Sequence, residues 1–568
     1  MLPLRKWNRQ EYNYERAVEL SKETKESLFL SKLLLVRGID DVDKVNRYVD
    51  PTFIYDPFLL KDMGRAVDQI ADAIDNGNRI VVYGDYDVDG MTATSILIDF
   101  FDTLGVNASY YIPNRMEEGY GLSINEIENA INSKDDLIIT VDCGITAVEE
   151  IKYCVDNGIN IIVTDHHNCV IDDNGDMVLP DGIAVVNPRR SDCDYPNKEL
   201  CGAGVAFKLV SALCEKLNKG DIWKKYFELA TIGTIADVMT LTDGNRNIVK
   251  TGLEMIKNTS FPAIKALCEV CDIDRRNLSS TTIAFSLAPK INAVGRMSVA
   301  EKAVELLIEK NYDVALQKAK EVLEYNTIRR EVETKVYDEA VEIIEREKLD
   351  SCSIIVAYGY DWHVGIIGIV ASKIAEKYAR PAIVISVIDG VGKGSARSVN
   401  GINIYNSLSK SSFLLERFGG HEFAGGITIK EENIKEFISY INNIDVERPE
   451  EYTLIQNIDL LLETDDITVD NINSLKVMEP FGTGNLAPVF EIDNCKVILL
   501  SLVGGDKHLK MKVSYDGKMF DVIGFNMGKY INEISVDDYV NLVGYLEINE
   551  WKNYKNIQLR LVDMEKGE

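Results

Sequence analysis

Three short apolar runs constrain the fold of this chain more than any other feature of its sequence. RIVVY begins at Arg79, LIITV at Leu137 and NIIVT at Asn160, and each is followed by a polar loop and a helix-like segment. Continuous runs of β-branched and aliphatic residues are typical of strands buried on both faces, and helices between them are typical of crossover connections. The sequence therefore predicts a parallel sheet covered by helices, which places the chain in the α/β class.

Acidic residues and histidines follow these runs at the point where each predicted strand ends. In chain order they are Asp85, Asp87, Asp89, Asp142, Asp165, His166 and His167. Three carboxylates within five residues repel one another unless a cation holds them, and the carboxyl ends of parallel strands meet at one edge of the sheet. A further acid, Asp237 in IADV, follows a helix-like segment and could complete the cluster. We therefore expect these side chains to converge on one site.

The number of donor groups exceeds what a single metal ion can use. Five or six carboxylates and one or two imidazoles suit two divalent ions, about 3.5–4 Å apart, that share a bridging carboxylate. Oxygen-rich ligands favour Mg²⁺ or Mn²⁺ over Zn²⁺, and the imidazole favours Mn²⁺ over Mg²⁺. Such a pair of ions activates a bound water and neutralises charge on phosphoryl oxygens, so the pattern predicts hydrolysis of a phosphoester or phosphoanhydride.

The remainder of the chain predicts two further folded regions joined by a long charged helix. A second α/β unit begins at Ser353 and contains two glycine-rich segments, GKGSARS and FGGHEFAGG. After residue 448, five short strands with hairpin turns within about 70 residues predict a small β-barrel of the OB type. The expected domains are a helical lead-in (1–78), an α/β domain (79–240), a helical connecting region (241–349), a second α/β domain (350–447) and the barrel (448–568).

One strand of the expected barrel, HLKMKV, alternates between apolar and polar residues. The side chains predicted to face inward are Leu509, Met511 and Val513, and those predicted to face outward are His508, Lys510 and Lys512. A basic stripe beside loop aromatics, here Trp551 and Tyr554, suits a platform on which bases stack while lysines follow the phosphates of a single strand. The alternative is a solvated face on a domain that only packs against its neighbours.

The net charge limits the kind of nucleic-acid contact that is possible. With 62 basic and 91 acidic residues the formal charge is −29, which argues against nonspecific attraction to a polyanion. A net value does not exclude a local basic groove, and a carboxylate cluster loaded with metal attracts phosphate. No apolar run reaches the ~18 residues of a membrane-spanning helix, and the N-terminal residues lack the apolar stretch of a signal peptide. We therefore expect a cytoplasmic protein.

Four of these segments, in order, resemble the motifs of the DHH phosphoesterase superfamily: DYDVDG, VDCG, DHH and IADV. GGHEFAGG is similar to the glycine-rich motif of the DHHA1 domain that accompanies it. PNRMEEGYGL, INAVGRM, GSARS and the C-terminal barrel narrow the resemblance to the RecJ family of single-strand-specific exonucleases. Eight matching segments in order, over nearly the whole chain, are far more specific than one DHH triplet.

The resemblance implies a role for each matching residue. The metal ligands would be Asp87, Asp89, Asp142, His166 and Asp237, with Asp142 bridging two ions. Asp85 and Asp165 would support these ligands, and His167 would contact the scissile phosphate or the attacking water. Contacts to the DNA backbone would come from Arg115, Arg296, Ser395, Arg397, Gly420 and His421. An ordinary surface arginine at position 115, and a turn-forming role for the glycines of GGHEFAGG, are alternative interpretations.

The RecJ resemblance also implies an activity and partners. The activity is metal-dependent degradation of single-stranded DNA with 5′→3′ polarity, releasing 5′-mononucleotides, in recombination and DNA repair. Hydrolysis would occur in a cleft between the two α/β lobes that is too narrow for duplex DNA. The implied partners are single-stranded DNA, a single-strand-binding protein and a helicase, and we expect a monomer that does not associate with membranes.

Two alternative functions remain open from the sequence. One is a nanoRNase or cyclic-dinucleotide phosphodiesterase, which would share the two central domains; the barrel and the long connecting helix weigh against it. The other is a catalytically inactive single-strand-binding protein, as in the superfamily's eukaryotic relative at the replication fork. That protein class is expected to have lost ligands, whereas every expected carboxylate and histidine is present here.

Overall fold

The computed structural model of the chain describes residues 5–50, 52–114, 121–125, 127–128, 136–399, 402–444, 455–551 and 554–567. The chain divides into two units. The terminal unit contains residues 1–54, 240–251 and 451–568, and the central unit contains residues 55–239 and 252–450. Within the described ranges, no helix is both long and apolar enough to cross a membrane.

The α-helices are numbered in chain order over the described residues. They are α1 (Tyr14–Thr24), α2 (Leu28–Val36), α3 (Val42–Val49), α4 (Met63–Asp75), α5 (Val88–Leu104), α6 (Val148–Asp156), α7 (Gly202–Lys216), α8 (Phe227–Ala236), α9 (Asp243–Ile256), α10 (Pro262–Val270), α11 (Ser280–Thr282), α12 (Ala288–Arg296), α13 (Glu301–Leu307), α14 (Tyr312–Glu347), α15 (Val364–Tyr378), α16 (Ile404–Lys410), α17 (Ile434–Asn443) and α18 (Val469–Ser474). Capping side chains define several starts: Asn311, for example, accepts two backbone N–H groups at the start of α14. A π-helical turn, Ile283–Leu287, joins α11 to α12.

The strands are numbered in the same way. They are β1 (Lys6–Arg9), β2 (Ile80–Tyr83), β3 (Ala108–Tyr111), β4 (Leu137–Val141), β5 (Asn160–Thr164), β6 (Val170–Ile171), β7 (Met177–Val178), β8 (Ala184–Val186), β9 (Ile355–Tyr360), β10 (Ala382–Ile388), β11 (Val391–Arg397), β12 (Arg417–His421), β13 (Ala424–Lys430), β14 (Ile455–Ile458), β15 (Leu460–Leu461), β16 (Phe490–Val503), β17 (His508–Tyr515), β18 (Lys518–Gly524), β19 (Tyr539–Trp551) and β20 (Tyr554–Lys566). The three apolar runs singled out in the sequence form β2, β4 and β5.

The first sheet of the central unit has five strands, all parallel, in the order β3-β2-β4-β5-β8. Every residue of β4 is buried, because helices such as α5 and α7 cover the faces of the sheet. Counted along the chain, the strand order is 2-1-3-4-5, so the direction of winding reverses between β2 and β4. Open α/β sheets bind their ligands at this reversal point. The predicted parallel sheet is confirmed.

The second sheet of the central unit has the order β12-β13-β11-β10-β9, in which only β9 and β10 are parallel to each other. Helix α15 makes the crossover from β9 to β10 and packs on β10 and β11. The charged connecting segment is a single helix of 36 residues, α14, as predicted. One side of α14 packs against α10, α12 and α15, so it is a structural support as well as a connection.

The terminal unit contains the barrel. Strands β16, β17, β18, β20 and β19 follow one another around it, and β19 closes it by pairing with β16. This closed five-stranded barrel confirms the predicted architecture. Leu30 and Leu33 of α2 share a hydrophobic core with Phe490 and Leu542 of the barrel, and β1 pairs with β14. Nothing in the local sequence pattern predicts this association between the two ends of the chain.

Candidate active site

The acidic loops of the central unit meet at the reversal point of its parallel sheet. β2, β4 and β5 are neighbours, so the loops that follow them lie side by side. Their donor atoms fall into three sets, and within each set the atoms lie within 4.8 Å of one another: Asp85, Asp87 and Asp142; Asp89, His166 and Asp237; Asp142, Asp165, His166 and His167. The structure thus brings together all the acidic and histidine residues that were predicted to converge.

Asp87 and Asp89 occupy different positions at the start of α5. Asp87 is the N-cap residue, and its Oδ1 accepts hydrogen bonds from the N–H groups of Asp89 at 2.8 Å and Gly90 at 3.0 Å. Asp89 lies in the first turn of the helix and is buried. Both carboxylates are therefore at the positive end of the α5 dipole, which favours negative charge there.

The N-terminus of α7 also holds the Asp89 carboxylate. Oδ2 accepts the N–H of Gly202 at 2.6 Å, and Oδ1 accepts the N–H of Ala203 at 2.9 Å. A Cβ at position 202 would lie 2.4 Å from the Cβ of Asp142, so only glycine allows this close approach. Neither amide was predicted as part of the site, although the Gly-x-Gly of LCGAGVAF before an apolar helix was the available signal.

Asp142 and His166 connect the donor sets. His166 Nε2 lies 3.0 Å from Asp142 Oδ1, and it is also 3.6 Å from Asp237 Oδ2 and 3.7 Å from Asp89 Oδ2. Asp142 has a φ of 62°, a left-handed conformation that is uncommon outside glycine and is found disproportionately at functional sites. Asp142 thus belongs to the set with Asp85 and Asp87 and also contacts His166 of the set with Asp89 and Asp237, which is the position a bridging ligand needs.

Burial and mutual repulsion oppose ionisation of the clustered carboxyl groups. Burial, and after it the charges of Asp89 and Asp87, raises the pKa of Asp142 well above its usual value. The same causes raise the pKa of Asp237 to about 8. Burial lowers the pKa of His166, which favours the neutral imidazole that binds metal. The cluster is therefore strained electrostatically until a cation neutralises it.

The donor groups fit divalent cations. Among the described residues, the buried atoms Asp237 Oδ2 and His166 Nδ1 have no hydrogen-bond partner. Buried polar atoms are otherwise almost always satisfied, so an unsatisfied carboxylate oxygen beside other carboxylates fits a site that binds a cation. Carboxylate oxygens with one imidazole suit Mg²⁺ and Mn²⁺. The two three-residue sets provide donors for two such ions.

Asp165 has a different environment from the other acids, because protein donors surround it. Oδ2 accepts the N–H of Ile145 at 2.9 Å, and Oδ1 accepts the N–H groups of His166 and His167. Oδ1 also lies 2.8 Å from Nδ1 of His167. Burial opposes charge on His167, but this hydrogen bond and the negative charges of Asp165 and Asp237 together outweigh burial and raise the pKa of His167 to about 9. Asp165 thus orients His167, whose side chain is 41% exposed against 5% for His166.

On the second sheet, Ser395, Arg397 and His421 share one face. Arg397 pairs with Ala424, which in turn pairs with His421, and directly paired residues of antiparallel strands point to the same side. Ser395, two residues before Arg397, is on that side too. Helix α15 packs against it, since a Cβ at Gly368 would lie 3.1 Å from both Ser395 Oγ and Arg397 Nη2. Three of the residues predicted to contact DNA therefore lie on the same face of the second sheet.

Gly420 directly precedes His421 on β12, so it belongs to the opposite face of the sheet. Its φ of 141° is in the range that favours glycine. A Cβ there would lie 2.3 Å from the carbonyl oxygen of Ala424, so a side chain would push the paired strand away. The hairpin geometry requires this glycine, in agreement with the turn-forming interpretation.

The end of α12 links the two sheets of the central unit. Gly295 packs on the loop that follows β2, where a Cβ would lie 2.0 Å from the carbonyl oxygen of Tyr86. Arg296 donates from Nη1 to the carbonyl oxygen of Gly365, at 3.2 Å, in the first turn of α15. Arg296 is therefore placed between the acidic loop and the helix that covers the Ser395 face.

On the barrel, Lys510 and Lys512 alternate with buried apolar residues along β17, as the sequence pattern predicts. Phe525, which was not predicted as part of this surface, lies just beyond β18. Its side chain is 54% exposed, and its ring contacts His508 edge-on with centroids 5.2 Å apart. An exposed aromatic beside the lysines strengthens the stacking-platform interpretation. Outside the described residues lie Arg115 and the side chains of Trp551 and Tyr554.

Comparisons with known proteins match the chain over nearly its whole length. Family models match residues 79–234 (DHH family, N-terminal domain), 352–444 (DHHA1 domain) and 458–563 (RecJ OB domain). The single-stranded-DNA-specific exonuclease RecJ of Bacillus subtilis is 37% identical over 566 residues, covering 98% of this chain and 70% of that protein.

Two crystal structures of RecJ from Thermus thermophilus are also similar at 27% identity. The complex with Mn²⁺ has a TM-score of 0.82 and covers 100% of this chain and 80% of that one. The complex with Mg²⁺ has a TM-score of 0.75 and covers 99% and 79%. These two structures do not separate the metals, so the preference for Mn²⁺ stays a prediction.

The matches favour one of the functions that the sequence left open. A match that includes the barrel disfavours the nanoRNase and cyclic-dinucleotide phosphodiesterase alternative, whose likeness is confined to the two central domains. The chain is 37% identical to a RecJ over 98% of its length. It also matches the DHH, DHHA1 and RecJ OB family models. This chain belongs to the RecJ family of single-stranded-DNA-specific exonucleases.

Proposed function

We propose that this protein is a metal-dependent exonuclease that hydrolyses single-stranded DNA at the acidic cluster of its central unit. The observation that carries the proposal is the convergence of six carboxylates and two histidines at the reversal point of a parallel sheet. Related RecJ proteins are named as exonucleases of single-stranded DNA, and one has been crystallised with Mn²⁺ and with Mg²⁺. Substrate class and metal requirement both follow from these observations taken together.

Two divalent ions would be held by Asp87, Asp89, Asp142, His166 and Asp237. Asp142 would bridge them, because it belongs to the set that contains Asp87 and its Oδ1 lies 3.0 Å from His166 Nε2 of the other set. Asp85 would support or complete the set that contains Asp87. When bound, the ions would lower the pKa of a coordinated water and neutralise charge that develops on the phosphoryl oxygens. The backbone amides of Gly202 and Ala203 keep the Asp89 carboxylate in place for this role.

His167 would contact the scissile phosphate or the attacking water. Its ring is oriented by Asp165 through Nδ1, which leaves Nε2 on the opposite edge of the ring. It is also the more exposed histidine, whereas His166 is buried among carboxylates. This difference in environment supports a division in which His166 binds metal and His167 acts on the substrate.

Substrate contacts would come from three places along the chain. Arg296 lies beside the acidic loop, and Ser395, Arg397 and His421 share the face of the second sheet next to α15. On the barrel, residues 496–518 carry five lysines and two aspartates, a local charge of +3 in a chain whose net charge is −29. This local excess supports Lys510 and Lys512 as phosphate contacts. Gly420 would let backbone groups approach the phosphate, and Arg115 is included on the resemblance alone.

The finer features of the reaction rest on the RecJ resemblance. They are 5′→3′ polarity, release of 5′-mononucleotides, a role in recombination and repair, and cooperation with a single-strand-binding protein and a helicase. A monomeric state and a cytoplasmic location belong to the same proposal.

The test is degradation of end-labelled DNA by the purified protein. A 5′-labelled and a 3′-labelled single strand, the matching duplex and an RNA strand of the same sequence are incubated with Mn²⁺, with Mg²⁺ and with a chelator. We expect labelled mononucleotide at once from the 5′-labelled strand, slow shortening of the 3′-labelled strand, and no reaction with chelator. Internal cleavage products, or hydrolysis that persists in the chelator, would contradict the proposal.

A further inference from the structure

The helical segment that leads to the acidic loop carries the most exposed large apolar side chain of the described residues. Phe285 is 80% exposed. It lies in the π-helical turn Ile283–Leu287 that interrupts the helix between α11 and α12. A π-turn within an α-helix is uncommon and occurs frequently at functional sites. Phe285 therefore combines an irregular backbone with an aromatic ring that is mostly exposed to solvent, and both features are typical of a binding site.

The two sides of this helical segment differ in burial. Ile283, Leu287 and Ile291 are buried and anchor it in the central unit. The exposed residues are Thr281, Phe285 and Pro289, which recur at a spacing of four and so lie along one side. Because the buried side already holds the segment in place, Phe285 contributes nothing to the core.

The sequence on both sides of Phe285 is locally basic. Residues 275–300 include the basic residues Arg275, Arg276, Lys290 and Arg296 and contain no aspartate or glutamate. Acidic residues occupy 91 of the 568 positions of the chain, so this stretch, which lies between Asp274 and Glu301, differs in composition from the rest of the sequence. A locally positive surface in an acidic protein raises the local concentration of a polyanion.

We propose that this exposed side of residues 281–289, with Phe285 at its centre, stacks against the bases of single-stranded DNA outside the metal centre. The inference rests on the proposed exonuclease function and names a substrate contact within it. An exposed aromatic ring among basic residues is the combination that binds single strands with little sequence preference. The exposed residues on either side of Phe285 along this face, Thr281 and Pro289, are not large apolar side chains, which favours a nucleobase over a protein partner.

The distance along the helix gives the proposal a substrate-length dependence. Arg296, which lies beside the acidic loop, is eleven residues after Phe285, or about 16 Å at the rise of an α-helix. A stacked strand advances about 3.4 Å per nucleotide, so Phe285 would be reached about five nucleotides from the contact at Arg296. Oligonucleotides shorter than this should therefore not contact Phe285, and their kinetics should not depend on it.

The experiment compares Phe285→Ala, Phe285→Trp and the control Phe413→Ala in the full-length protein loaded with Mn²⁺. Phe413 is another exposed phenylalanine, 64% accessible, which contacts Tyr440 on the second α/β domain. Steady-state kinetics are measured on trinucleotides and on strands of about 20 nucleotides, with normal bases or with abasic sites beyond the first few positions.

We expect Phe285→Ala to raise KM for the long strand about tenfold, with kcat and all trinucleotide kinetics unchanged. Tryptophan should restore KM, Phe413→Ala should resemble the wild type, and the abasic strand should abolish the difference between wild type and Phe285→Ala. An unchanged KM, or a change that persists on abasic strands, would overturn the inference; the latter result would point to a protein or backbone contact. If the wild type itself fails to degrade single strands, the proposed function fails instead, so the two failures are distinguishable.

Discussion

The metal centre and the surfaces that would contact DNA differ in burial and in the sign of their charge. In the metal centre most of the carboxylates are buried, and Asp89 and Asp165 are each fixed by backbone amides. In the basic stretches, residues 275–300 and 496–518, charged side chains such as Arg276 and Lys510 are exposed to solvent. The net charge of −29 does not show this difference, because the clustered acids and the locally basic stretches lie in different parts of the sequence.

The difference predicts where a substitution matters most. Electrostatic interactions are strong in a buried site because the effective dielectric constant is low, and they are weak at an exposed site because water and salt screen them. A single change in the metal centre should therefore act on the chemical step by orders of magnitude. A single change on a basic surface should act on binding by a small factor, and that factor should depend on salt.

The largest effect is expected from Asp142→Asn. This substitution keeps the shape of the side chain but removes the charge that would bridge two ions, and we expect kcat to fall at least ~10³-fold. Far-ultraviolet circular dichroism should be unchanged, because the substitution relieves repulsion between buried acids. Activity above a tenth of the wild type at saturating Mn²⁺ would show that Asp142 does not bridge.

A second expectation concerns stability. Mn²⁺ at about 100 times its dissociation constant should stabilise the wild type by about 2.7 kcal/mol, since the ion binds the folded site and neutralises its charge. The increase in melting temperature should be absent in Asp142→Asn. The metal-free variant should also melt above the metal-free wild type. A lower melting temperature for the metal-free variant would mean that the cluster is not strained by like charges.

The two histidines should separate metal binding from substrate contact. His166→Ala should lose bound Mn²⁺, whereas His167→Ala and Asp165→Asn should keep it and lower kcat by about 10- to 100-fold. Bound metal is measured by equilibrium dialysis and elemental analysis of each variant. Similar metal loss in the His166 and His167 variants would remove the division of roles between them.

The smallest effects should come from the barrel. Reversing Lys510 and Lys512 to Glu should weaken binding of long strands and reduce the slope of log K against log salt by about one for each lost phosphate contact. Turnover of short oligonucleotides should not change. Lys566→Glu, on strand β20, which pairs with β18 and β19 rather than with β17, is the control for a charge reversal elsewhere on the barrel. If the control and the double variant have the same salt slope, the stripe is a solvated face and not a platform.

The site could be predicted largely from sequence because its signals are local. Each predicted acid except Asp237 follows an apolar run directly, and the rule that ligands bind beyond the carboxyl ends of parallel strands brings them together. The barrel was predictable for the same reason, since alternation and hairpin turns are short-range patterns. The buried Leu509 and Met511, beside the more exposed Lys510 and Lys512, follow directly from the alternation.

What could not be predicted depends on contacts between distant parts of the chain. The amides of Gly202 and Ala203 bind Asp89 across more than a hundred residues, and no local pattern pairs them. The joining of α2 to the barrel core is similarly a matter of tertiary packing. Phe285 is exposed within a π-turn that an apolar sequence such as IAFSL does not predict.

The most direct test of the central claim is a crystal structure of the Mn²⁺-loaded protein with anomalous data collected at the manganese edge. Two peaks are expected in the central unit. One should be bound by Asp87 and Asp142 with Asp85 adjacent, and the other by Asp89, His166 and Asp237, with Asp142 contacting both. A single peak, or peaks that leave Asp142 uncoordinated, would contradict the account of a two-ion centre built on the loops after β2, β4 and β5.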